Sequence, residues 1–178
     1  GRADVSVEDY IQQLDLLDPE EILAHLDQLN VKEYAAGITA DGLYQNRKVP
    51  FGYNYIDRSH TYLGHDQDLE GEHGSHVAGI ATSNAYISNG DGTFSTALDS
   101  VLVQGVAPDA QLLVMKVFGQ NGGAYDSDYM AAIEDAIVLG ADSVNLSLGS
   151  TSPGFTRSEA YQEVMDRLTE SDTVVVIS

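Results

Sequence analysis

The sequence contains no cysteine, which excludes a disulfide framework and a thiol nucleophile while leaving the compartment open. Basic residues are scarce: 8 Lys and Arg stand against 28 Asp and Glu, for a formal net charge of −20. Such a surface repels nucleic acid and anionic membranes and favours divalent or basic partners, so a DNA- or RNA-binding role is excluded. No apolar run approaches the roughly 20 residues of a membrane-spanning helix. No phosphate loop is present. What remains is a chain of 178 residues, 43% hydrophobic and 20% charged, ordinary for one domain with a real core.

The chain opens at Gly1-Arg2-Ala3-Asp4 with neither an initiator Met nor a leader pattern. Its last residues, Thr173-Val174-Val175-Val176-Ile177-Ser178, read as a buried strand, which needs neighbours on both sides. Both ends are expected to be cut ends of something larger.

Residues 1–47 read as an acidic helical insertion or appendage. Val7, Tyr10, Ile11, Leu14 and Leu17 keep helical spacing, and Asp18-Pro19-Glu20-Glu21 is a capping box with Pro at the first helical position. By charge pattern this segment is expected to be a solvated surface feature, with residues 37–47 as loop. Residues 48–57 read as an extended strand, and Ser88-Asn89-Gly90-Asp91-Gly92-Thr93 as the turn of a hairpin or inserted loop. From Gly105 onward the pattern is regular. Strands are expected over 110–117, 142–148 and 173–177, and helices over 127–139, closed by Gly140, and 158–168. Strand, helix, strand, helix, strand with continuous apolar strands predicts an α/β fold with a parallel sheet and right-handed crossovers. Functional residues in such sheets gather beyond the carboxyl ends of the strands, here Phe118-Gly119-Gln120-Asn121-Gly122-Gly123 and Ser147-Leu148-Gly149-Ser150.

The run Gly71-Glu72-His73-Gly74-Ser75-His76-Val77-Ala78-Gly79-Ile80 carries the chemistry. Three explanations compete for its two histidines. They could be metal ligands, but the spacing is three rather than the four of HExxH, with no Glu between them. They could be structural helix-start residues, or His73 could be a general base.

The rest of the pattern favours the base. His73-Gly74-Ser75-His76-Val77-Ala78-Gly79 resembles the H-G-T-H-V-A-G motif of the subtilisin-like serine proteases. Gly105-Val106-Ala107-Pro108 with Leu112, Leu113, Lys116 and Val117 resembles the family's next segment, and Asp142-Ser143-Val144-Asn145-Leu146-Ser147-Leu148-Gly149 the strand bordering its substrate cleft. Three motifs in order, over residues 48–178, imply the central part of a subtilisin-like peptidase domain, with a parallel sheet flanked by helices. That sheet is expected to be incomplete, the amino- and carboxyl-terminal parts of the catalytic domain being absent. The run Lys48-Val49-Pro50-Phe51-Gly52-Tyr53-Asn54-Tyr55, with the acidic loop before the histidine, is similar to the lactocepin-type cell-envelope proteinases of Gram-positive bacteria. That likeness implies an extracellular protein, secreted or anchored to the cell wall.

By the resemblance His73 is the triad base, and Gly122, Gly123, Ser147, Leu148 and Gly149 line the substrate cleft, where an extended peptide lies as an added strand. Catalysis requires no cofactor. Structural calcium is a family property for which Asp66, Asp68 and Glu70, or Asn89 and Asp91, supply oxygen ligands, without EF-hand spacing and without assignment to a site. The departures are as informative. No V-I-D-S/T-G setting for the triad aspartate precedes His73, and neither the A-G-N of the oxyanion asparagine nor the G-T-S-M-A of the nucleophile occurs. Without them there is no acyl-enzyme, and about 3–4 kcal/mol of oxyanion stabilisation is missing. The expected partners are therefore complementary fragments bearing the aspartate, asparagine and serine, together with protein or peptide substrates, with Gly1 as a self-processing site. Competing with this are a catalytically inactive subtilisin-like binding scaffold and an unrelated acidic α/β binding module.

Overall fold

The computed structural model describes residues 16–62, 72–83, 86–89, 94–97, 100–101, 103–149, 157 and 159–177. The first predicted helix, over residues 6–17, lies almost wholly outside them.

Helix α1 (Pro19–His25) starts where the capping box places it. The Asp18 carboxylate accepts from the Glu20 and Glu21 amides at 2.8 and 3.0 Å, and Glu21 reaches back to the Asp18 amide. A 3-10 turn (Leu26–Gln28) leads to α2 (Val31–Tyr34). A further short helix, α3 (Ala40–Leu43), occupies part of the stretch expected to be loop, with Thr39 capping the Gly42 amide at 3.2 Å. The acids of this segment face water, but its apolar stripe does not. Ile22, Leu29, Val31, Ile38, Ala40 and Leu43 are buried in the same cluster as Phe51, Tyr53, Tyr55 and the helix that follows the second parallel strand. The expectation of a solvated appendage is thus corrected: packing is continuous across residue 47. Gln111 reinforces this junction, exchanging hydrogen bonds with the Leu17 backbone at 2.7 and 3.0 Å and donating to the Arg47 carbonyl at 2.8 Å.

Strand β1 (Phe51–Asn54) is buried on both faces and pairs in parallel with β4 (Leu113–Lys116), Phe51 opposite Leu113 and Asn54 opposite Lys116. Gly52 lets the Tyr62 ring lie close, since a Cβ there would sit 2.6 Å from it and displace it. Between these strands come α4 (His73–Thr82) and a hairpin of β2 (Tyr86–Ser88) with β3 (Phe94–Thr96). Helix α5 (Asp126–Val138) carries Asp126 and Asp128 in its first turn, where they complement the helix dipole. It ends in a Schellman motif: Gly140 has φ +73°, its amide bonds to Ile137 O, and Ala141 N–H bonds to Ala136 O. Strand β5 (Ser143–Leu146) pairs in parallel with β6 (Val174–Ile177), and α6 (Glu159–Glu170) crosses between them. Arg167 of α6 ties to Glu134 of α5 at 2.6 Å.

The parallel arrangement holds within each pair, but the pairs are not joined. Among the described residues β4 bonds only to β1, and β5 only to β6. A crossover fixes handedness, not adjacency. Nor is β6 buried on both faces. Val144, Leu146 and Val175 pack against the helical core, whereas Val174 and Val176 on the opposite face are 61% and 55% exposed.

Candidate active site

His73 is the first residue of α4 and is exposed, as are Gly74, Ser75 and His76. The ion pairs among the described residues join Asp27 to Lys32, Arg58 to Asp128 and Glu134 to Arg167, and none involves His73. The imidazole therefore stands at a helix head with no carboxylate paired to it among the described residues.

The other end of α4 is held firmly. The amides of Val106, Ala107 and Gly105 donate to the carbonyls of Ile80, Ala81 and Ser83 at 3.0, 2.8 and 3.0 Å, satisfying carbonyls that a helix end leaves open. Gly105 makes this contact feasible, since a Cβ there would lie 2.5 Å from the Ser83 nitrogen and 2.7 Å from the Thr82 nitrogen. Residues 105–107 run on to β4, whose entry is fixed by Lys48, its ammonium bonded to the carbonyls of Pro108 (2.8 Å) and Ala110. The tail of α4 is thus tied to the segment that leads into β4. Ten residues at about 1.5 Å rise put about 15 Å between the clamped tail and His73 at the helix head. Gly105→Ala is expected to cost about 2–3 kcal/mol through forced displacement of backbone from backbone. A lowered thermal midpoint, with the far-ultraviolet spectrum retained, is the measurement.

Gly122 and Gly123 lie in the loop leaving β4. Gly122 has φ +70°, and the loop closes on itself through Gly122 N–H to Gly119 O at 2.9 Å and Gly119 N–H to Gly123 O at 3.0 Å. Ser147, Leu148 and Gly149 follow β5, with the Ser147 hydroxyl accepting from Asn145 Nδ2 at 2.9 Å. Leu148 and Gly149 also border an apolar cavity of about 140 Å³ walled by Met130 and Ile133 of α5 and Tyr161 and Met165 of α6. The two glycine-bearing segments thus lie past the carboxyl ends of different parallel strands, joined by α5. Asp66, Asp68, Glu70 and Asp91 are outside the described residues. Asn89 accepts from Ser95 Oγ at 3.1 Å, and no group of three metal-ligating side chains is found among the described residues.

Two buried acids of α5 have no signature in the sequence pattern. Asp135 of α5 is fully buried, its two oxygens accepting from the Asn30 amide (2.6 Å), the Val31 amide (3.2 Å), Asn30 Nδ2 (3.1 Å) and the Tyr55 hydroxyl (2.8 Å). Burial pushes its carboxyl up from the ordinary value despite these donors, and pushes the Tyr55 phenol up as well. Asp128, equally buried, is met by the Arg58 guanidinium at 3.3 Å.

The subtilase family profile matches residues 37–178, about four fifths of the chain. This chain belongs to the subtilase family. Among individual subtilases, it is 41% identical over 140 residues to the PI-type proteinase of Lactococcus lactis subsp. cremoris, covering 77% of this chain and 7% of that protein. It is 38% identical over 117 residues to the C5a peptidase of Streptococcus pyogenes, covering 65% of this chain and 9% of that one. To the minor extracellular protease Vpr of Bacillus subtilis it is 33% identical over 120 residues, 64% of this chain and 13% of Vpr. As a subtilase chain it has an α/β fold, and its resemblance to the lactococcal cell-envelope proteinases is real. It spans less than a tenth of the length of the lactococcal relative.

Proposed function

We propose that this subtilase chain supplies the general base and two walls of the peptide cleft of an extracellular serine endopeptidase. The acid, the oxyanion donor and the nucleophile would come from complementary polypeptide. The observation that carries the reading is His73, exposed at the head of a helix whose tail is clamped, and free of any carboxylate partner among the described residues.

In this role His73 takes the proton from a serine hydroxyl as that oxygen attacks the scissile carbonyl, and then hands it to the leaving amine. A carboxylate supplied by the partner would fix its tautomer, and the reaction calls for no cofactor. Peptide would lie as an added strand between residues 122–123 and 147–149, held by backbone bonds, with the apolar cavity below Leu148 offering room for an apolar side chain. Support for a completing partner comes from the sheet. The edges of β4 and β5 that pair with no other strand among the described residues, and the exposed Val174 and Val176 face, are surfaces of the kind proteins keep covered.

A fluorophosphonate probe applied to the assembled protease tests this. The expected result is labelling of one serine on the complementary polypeptide, lost on His73→Ala. An intact serine that stays unlabelled overturns the reading and favours a peptide-binding scaffold.

A further inference from the structure

Resting on that reading of the cleft, we propose that Arg58 is a positioning residue for the 119–123 edge, and that it links this edge to the amino-terminal segment through Tyr34. The evidence is convergent contact from one short turn. Residues 55–58 follow β1 and are held rigidly. Asn54, 1% exposed, bonds through Nδ2 to Asp57 Oδ2 (2.8 Å) and the Thr61 carbonyl (2.9 Å), its Oδ1 accepts from the Asp57 amide (3.0 Å), and its backbone bridges to Ser59.

This turn touches the cleft-edge loop at both ends. At the loop's start, Ile56 packs on Gly119 so closely that a Cβ there would sit 3.3 Å from Ile56 Cδ1. Just past its end, Arg58 Nη2 meets Asp128 in the first turn of α5 at 3.3 Å. The loop between Gly119 and Asp128 is therefore bracketed by two side chains of the same four residues, and its backbone bonds close locally, within 119–123 and from the Asp128 amide to the Tyr125 carbonyl. Where the loop sits relative to a bound peptide follows from where the turn sits.

Arg58 is held in turn by the amino-terminal segment. Its guanidinium carbon lies 3.7 Å from the centroid of the Tyr34 ring, a stacked cation–π geometry. Tyr34 also makes an edge contact with Tyr55, centroids 5.9 Å apart. Arg58 has φ +54°, and among the described residues no other non-glycine residue has a positive φ. A long side chain in the left-handed region is uncommon and persists only where the surroundings determine it. Glycine would suit the backbone better, so an arginine at this position points to its side chain as the reason.

The test uses the assembled protease with two peptide substrates, one reaching a single residue upstream of the scissile bond and one reaching five. Arg58→Gly keeps the backbone at ease and removes the guanidinium. The expected result is a KM raised about tenfold for the long substrate, with kcat near wild type and the short substrate unchanged. Arg58→Lys, which keeps the charge but not the planar stack, should recover part of the loss. Tyr34→Leu, remote from the loop, should shift the same KM in the same direction by a smaller factor. Equal effects on both substrates, or none on either, overturn the inference. The rate of fluorophosphonate labelling, independent of peptide length, is read in parallel. Labelling at the wild-type rate with unchanged long-substrate KM refutes the positioning role alone, whereas a wild-type complex that does not label refutes the protease reading and this inference with it.

Discussion

His73→Ala is expected to lower kcat of the assembled protease by about a million-fold, the size of loss that removal of the triad base produces in subtilisin itself, with KM changed little. The prediction separates chemistry from folding cleanly. His73 is exposed and begins α4 with no side-chain cap, and the helix is secured at its far end by residues 105–107. Alanine is a good helix former, so nothing structural is lost with the imidazole. The thermal midpoint should stay at its wild-type value while turnover disappears. His76→Ala is the matched control. His76 is also exposed and its amide bonds to the Glu72 carbonyl at 2.9 Å, a bond that survives side-chain truncation. It should retain most of the activity. A His73→Ala protease that loses less than about tenfold in kcat would assign the base elsewhere.

How far the sequence reaches is clear from particular residues. The Asp18 capping box, the glycine that closes α5 and the apolar run of β4 are local signals, and each element stands within a few residues of its expected place. The histidine motif likewise predicts a helix start, and α4 begins at His73 itself. What the sequence could not convey is non-local. Asp135 sits at a helical position that reads as one more acid in an acidic chain, yet its partners Asn30 and Tyr55 lie 105 and 80 residues away. Charge pattern made residues 17–47 look solvated, with acids well ahead of bases, although Ile22, Leu29 and Val31 belong to a stripe that packs under the core. Gly105 occurs in a recognisable motif, but the reason for the glycine is two backbone nitrogens brought within van der Waals contact by folding. Strand character was legible in β4 and β5, and strand adjacency was not, because the period of a strand says nothing about its neighbour.

The largest expected effect on stability falls on Asp135→Ala. Four donors converge on this fully buried carboxylate, two of them the backbone amides of Asn30 and Val31. Truncation orphans them together and detaches α2 from α5, so a loss of about 3–5 kcal/mol is expected, read from denaturant midpoints at constant m. Asp135→Asn discriminates shape from charge. Its amide keeps the volume but aims two N–H groups at a site built of donors; the Tyr55 hydroxyl can turn to accept one, whereas the backbone amide it displaces cannot. A smaller loss than for alanine follows. The pH dependence carries its own sign. Burial raises the folded-state pKa of Asp135 above its unfolded value, so the native state binds the proton more tightly and the contribution of this group to stability is greatest below the carboxylate range. It declines as pH rises from the unfolded value through the raised folded one, and is level beyond. Subtracting the Asp135→Asn stability curve from wild type should therefore give a difference that falls with rising pH across that interval. A difference that rises instead would mean that the four donors outweigh burial, with the carboxylate held below its ordinary value rather than above it.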